Sequence, residues 1–179
     1  MQPWFMATQT FNPQRGEAWT KYIAWSRLAQ LKEVVSLDPM LCPTVLPEMK
    51  DEYWPHIVNE DFMLHFFVDL DYLLKQLPGI QDCNLLCVYR NPLNPPSQYK
   101  GQVGFELLGY DLVDVEGSAS ALTNCGGFAD VFEARELSSQ GLLLSHDRAL
   151  QVQSELRTKH PNEHHANCNV WAISRAIAL

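Results

Sequence analysis

The feature that most limits what this chain can become is a run of apolar residues between Asn59 and Gly79. Phe62, Met63, Phe66, Phe67, Leu70, Leu73, Leu74 and Leu77 fall at i, i+1, i+4, i+5, i+8, i+11, i+12 and i+15, close to the 3.6-residue period of an α-helix. Asn59 is placed to cap the first turn, Glu60 and Asp61 meet the positive end of the helix dipole, and Pro78-Gly79 stops the run. The spacing predicts a helix near 60–77 with a wide face committed to a core. Such a face needs a second layer to cover it.

Strand patterns downstream supply that layer. Residues 83–90 and 168–175 read as strands, and between them lie two more, near 102–108 and 110–115. Apolar residues occupy odd positions from Val103 to Leu107, even ones from Leu108 to Leu112, then odd again at Val113 and Val115. That change of phase predicts a bulge or bend at Gly109. The proline-rich loop Asn91–Gly101 is expected to join 83–90 to 102–108 as a hairpin.

Two further helices complete the layer. One near 17–35 carries the stripe Ala18, Tyr22, Trp25 and Ala29; the other, near 146–160, is capped by Ser145, buries Ala149, Val152 and Leu156, and stops at Pro161. A short helix is expected within 128–137. Residues 1–15 show no period and read as an irregular N-terminal arm ahead of one domain over 16–179. The expected class is α+β, with a mainly antiparallel sheet packed against helices.

Composition excludes several alternatives. With 46% hydrophobic and 19% charged residues among 179, the chain has the apolar content that disordered segments lack. No uncharged apolar run of membrane-spanning length occurs. The five cysteines, an odd number, point to free thiols, and no basic-then-apolar leader pattern opens the sequence. A cytoplasmic location is therefore expected.

Charge is segregated. The formal net charge is -8. Residues 48–82 hold eight acids against Lys50 and Lys75, and residues 101–134 hold six acids with no lysine or arginine, so each block carries -6. This argues against direct nucleic-acid binding, which needs clustered cations, and favours a protein partner with a basic surface. Asp114 and Glu116, two apart on a strand, would share a face and repel each other unless solvated or met by cations. Asp111, Asp114, Glu116, Asp130 and Glu133 are thus the expected partner-binding residues.

Recognisable catalytic signatures are missing. There is no GxGxxG, no GxxxxGK[ST], no HExxH and no GxSxG. The expected function is a non-enzymatic acidic binding protein of the inhibitor or immunity type, with no cofactor and no metal. His160, His164, His165 and Cys168 have ligand-like spacing that Pro161 interrupts, and Cys83 and Cys87, also four apart, lie on a strand that holds them about 13 Å from each other.

One alternative belongs to another class. Asn124-Cys125-Gly126-Gly127-Phe128 resembles, over five residues, the nucleophile segment of papain-like cysteine peptidases, without a tryptophan, glutamine or third polar partner at a family-like position. The resemblance implies a cysteine-dependent hydrolase or transferase with Cys125 as nucleophile and His164 or His165 as base.

Overall fold

A computed structural model describes residues 2–46, 50–58, 65–79, 82–96, 104–123 and 128–177. Four strands, β1 (Trp4–Gln9), β2 (Cys83–Arg90), β3 (Phe105–Asp114) and β4 (Cys168–Ala176), form one sheet in the order β1-β2-β4-β3. Every pairing is antiparallel. Three α-helices accompany it: α1 (Glu17–Ser26), α2 (Leu70–Gln76) and α3 (His146–Lys159). The expected α+β class is the observed one.

Strand register explains where the core lies. Phe5 pairs with Cys87 and Ala7 with Leu85, while Tyr89 and Tyr110 both pair with Ala172 and Leu112 with Val170. Side chains alternate along a strand, so these residues share one face. The helices cover it: α2 brings Leu70 and Leu73 to Phe5, Leu85 and Cys87, and α3 brings Ala149, Val152 and Leu156 to Tyr110, Leu112 and Val170. The opposite face carries Met6, Leu86, Val88, Val113, Trp171 and Ile173, and irregular chain closes over it through Val35, Leu37, Phe66 and Leu142. The sheet is thus buried on both sides, by helices on one and loops on the other.

The phase change at Gly109 is a bulge between Leu107 and Gly109. It returns Phe105 and Tyr110 to the same face, although they are five residues apart. Gly109 sits at φ 151, and a Cβ there would lie 2.6 Å from the Leu143 carbonyl oxygen. Only glycine allows this approach, because Tyr110 exchanges backbone hydrogen bonds with Leu143 at the same place.

Five expectations are corrected. Residues 4–9 are not part of an irregular arm but form edge strand β1, paired along its length with β2. The hairpin between 83–90 and 102–108 is absent, because β4 lies between β2 and β3. Leu85, Leu86, Cys87 and Val88 are buried on both faces, as expected of an interior strand with both edges paired. The helix near 17–35 ends at Ser26, where Arg27 turns left-handed with φ 60 and its N–H bonds back to Ile23. Within 128–137 only a three-residue 3-10 turn forms, Ala134–Glu136.

The helix expected over 60–77 is the most instructive correction. Residues 59–64 lie outside the described residues, and α2 begins only at Leu70, capped by Asp69 accepting from the Tyr72 N–H at 3.0 Å. Phe67 instead exchanges backbone hydrogen bonds with Phe5 at 2.7 and 2.8 Å, extending the sheet beyond β1. Phe66 packs with Trp171 on the loop-covered face, while Phe67 packs with Tyr53 on the helix-covered face. Adjacent apolar residues on extended chain point opposite ways, and here both directions are buried. A pattern that imitates one wide helical face is a segment buried on two sides.

Candidate functional site

The five carboxylates expected to form one acidic face do not share one environment. Asp111 projects from β3 with Val113 onto the loop-covered face and is fully buried. Its carboxyl accepts from Ser36 Oγ at 2.7 Å, from the N–H groups of Leu37 and Leu112, and from Ser120 Oγ. Burial pushes its pKa up; the four donors oppose that rise. Asp38 joins the same network, accepting from the N–H groups of Met40 and Ser120, and burial raises its pKa too.

Asp114 is also fully buried. It ends β3 by accepting from the N–H groups of Glu116, Ser118 and Ala119 and from Ser118 Oγ at 2.8 Å, which closes the turn at 114–119. Burial works to raise its pKa, but the bonds from Ser118 and Ala119, with His164 nearby, hold it below the ordinary carboxylate value. Asp111 and Asp114 therefore have no place on an outward-facing surface. The physical reason is that each satisfies several buried donors that would otherwise be left unpaired.

Glu116, Asp130 and Glu133 remain exposed, but two of them are paired. Asp130 lies 2.9 Å from His160 Nε2, and Glu133 is 2.6 Å from Arg135 Nε. The lysine- and arginine-free stretch thus meets a partner in His160, just past α3, and, at its end, one in Arg135.

The histidines are positioned by these acids. His164 Nε2 stands 3.4 Å from Asp114 Oδ2 and 3.3 Å from Ser118 Oγ. Both partners meet the same nitrogen, so a serine–histidine–aspartate relay, which needs opposite nitrogens, is not formed. His165 is buried with its ring 5.3 Å from that of Phe128, and burial lowers its pKa. Cys125 lies outside the described residues, between Thr123 and Phe128 in the sequence.

The four described cysteines are free thiols. Burial pushes Cys42, Cys87 and Cys168 up to about 12, which leaves them as inert thiols at neutral pH. Among the described residues, no group of three histidine, cysteine or acidic side chains is arranged to hold a metal ion. His160 and His164 face different carboxylates, and Cys168 is buried.

The first acidic block behaves otherwise. Residues 51–56 form a 3-10 helix docked on α2: His56 stacks on Tyr72 at 3.6 Å, and Tyr72 Oη donates to the Glu52 carbonyl at 3.1 Å. Asp51, Glu52 and Asp71 stay exposed, and Trp54, on the same 3-10 helix as Asp51 and Glu52, is 54% exposed. Asp69 and Asp71 line an open concavity of about 390 Å³ with Phe5, Val68 and Leu70. The charge pattern alone points to the other block as the surface, although both blocks carry the same net charge. The signal available was Trp54-Pro55, an aromatic residue set in an acidic stretch.

Comparison with protein-family models, curated proteins and solved structures finds no match for the chain. Among the described residues, no helix is long and apolar enough to cross a membrane.

Proposed function

We propose that this protein is a non-enzymatic binding protein of the inhibitor or immunity type, docking a basic protein partner through the surface around Asp69, Asp71 and Trp54. The carrying observation is the concavity lined by Asp69 and Asp71, with exposed Trp54 and Glu52 on the adjoining 3-10 helix. A concave patch with carboxylates accepts a lysine or arginine side chain, and tryptophan is among the residues that most often anchor interfaces. The chain's net charge of -8 adds long-range attraction that salt screens.

The test uses arginine- and lysine-rich peptides titrated by calorimetry at low and high salt. Binding should weaken in high salt, and should fall about tenfold in Trp54→Ala and in the triple variant Asp51→Asn, Glu52→Gln, Asp71→Asn. A charge-matched triple at Glu116, Asp130 and Glu133 should leave it nearly unchanged. Equal losses from both triples would mean that the peptides read net charge alone, and the proposed surface would be wrong.

A second reading rests on the Asp114–His164 pair. A carboxylate on Nε2 leaves Nδ1 as the basic nitrogen, the arrangement a thiol nucleophile needs. On this reading Cys125 is the nucleophile of a hydrolase or transferase, with His164 as base. Rapid iodoacetamide labelling of Cys125 near neutral pH, slowed in His164→Ala, supports it; labelling as slow as that of Cys42 rejects it.

A further inference from the structure

We infer that a small aromatic or branched carboxylate binds in the pocket at the C-terminal end of α1, with Arg27 holding its anionic head. This inference does not depend on either functional reading.

The pocket has a volume of about 180 Å³. Its floor and walls are apolar, supplied by Leu28, Leu122, Phe128 and Phe132, all buried. Dry apolar cavities of roughly 150 Å³ accept a benzene ring, so this one admits one ring or a short branched chain and little more. Its lining carries Ser26 and Arg27 at the C-terminal end of α1 and is otherwise apolar.

Three features make that end an anion site. Arg27 makes no side-chain hydrogen bond or ion pair with a described residue, and Glu133, between the lining residues Phe132 and Ala134 in sequence, is held by Arg135 at 2.6 Å. Ser26 is buried and accepts from the Leu28 N–H through Oγ, which leaves its hydroxyl hydrogen to donate. Arg27 also occupies the left-handed position that ends α1, with φ 60. Glycine is the usual residue there because it has no Cβ to strain. The left-handed turn sets the Arg27 side chain among the lining residues of the pocket.

The ligand class follows from the chemistry. An apolar body no larger than a substituted ring fills the cavity, and a planar carboxylate matches the guanidinium fork and the serine donor. An amine would face Arg27 with like charge, and an alcohol would lose the charge-assisted bonds.

Sodium phenylacetate is the probe, compared with 2-phenylethanol and phenethylamine, by thermal denaturation and by calorimetry on the full chain. Phenylacetate should raise the unfolding temperature in a dose-dependent way, with the alcohol and amine giving smaller shifts. Arg27→Gly should leave the ligand-free protein at least as heat-stable as the parent and weaken phenylacetate at least tenfold. Ala134→Leu, at an exposed wall residue, should fill the pocket and abolish the shift for all three probes. The inference is overturned if the alcohol or amine stabilises as well as phenylacetate, or if the phenylacetate shift survives in either variant.

Discussion

Residues 48–82 and 101–134 carry the same formal charge of -6, yet only the second commits acids to the buried interior among the described residues. In the second stretch two carboxylates turn inward: Asp111 gathers donors from residues 36, 37, 112 and 120, and Asp114 gathers them from the turn that follows it. In the first stretch Asp51, Glu52 and Asp71 stay in solvent around a stacked His56–Tyr72 pair. The difference teaches that a charge count along a sequence reports neither surface nor partner. A carboxylate beside serine-rich loops is drawn to their hydroxyls and backbone N–H groups, and then acts as a structural tie.

The largest effect that would test this contrast is Asp111→Ala. It strands four buried donors, and urea unfolding should show a loss of roughly 3–5 kcal/mol. Asp111→Asn keeps an acceptor and should lose clearly less. Stability near that of the parent for the alanine variant would remove the structural role.

Gly109→Ala is next. The added Cβ meets the Leu143 carbonyl oxygen at 2.6 Å at a backbone angle hostile to side chains, so a loss of roughly 2–3 kcal/mol is expected. A normal unfolding midpoint would mean that the bulge can relax.

The pH dependence separates the two inward acids by sign. Asp114 has a folded pKa below 3.8, so its contribution is present above that value and is lost as pH falls through the folded pKa. Asp111 and Asp38 have folded pKa values above 3.8, so the folded state holds their protons more tightly and stability declines as pH rises from 3.8 through those folded values. Asp114→Asn should therefore flatten the loss of stability below pH 3.8, and Asp111→Asn the decline above it. Identical pH profiles for the two variants would break the distinction.

The smallest stability effect belongs to the outward block. The triple Asp51→Asn, Glu52→Gln, Asp71→Asn should barely move the unfolding midpoint, as surface substitutions usually do. A large shift would show that these acids, too, are structural.

Much of the sheet was legible in the sequence. The strand at 83–90 and the α3 helix agree with their expected bounds, and the odd–even switch marked the bulge, because period and capping are local properties. Pairing order was not legible. Nothing in 83–90 or 102–108 announces that the last strand inserts between them, since any of these strands offers the same backbone donors. The candidate site was hardly legible at all. Asp111 looks like a surface residue until Ser36 and Ser120, 75 and 9 positions away, are brought to it.

By itself the sequence determined the strands near 83–90 and 168–175 and the helix near 146–160, where glycine is required, and how much charge the chain carries. The tertiary structure alone decided that Phe66 and Phe67 are buried on opposite sides of extended chain, that β4 is interior, and which carboxylates meet water. The reason is common to all three. Each depends on what lies across the gap from a side chain, and that neighbour comes from a distant part of the chain.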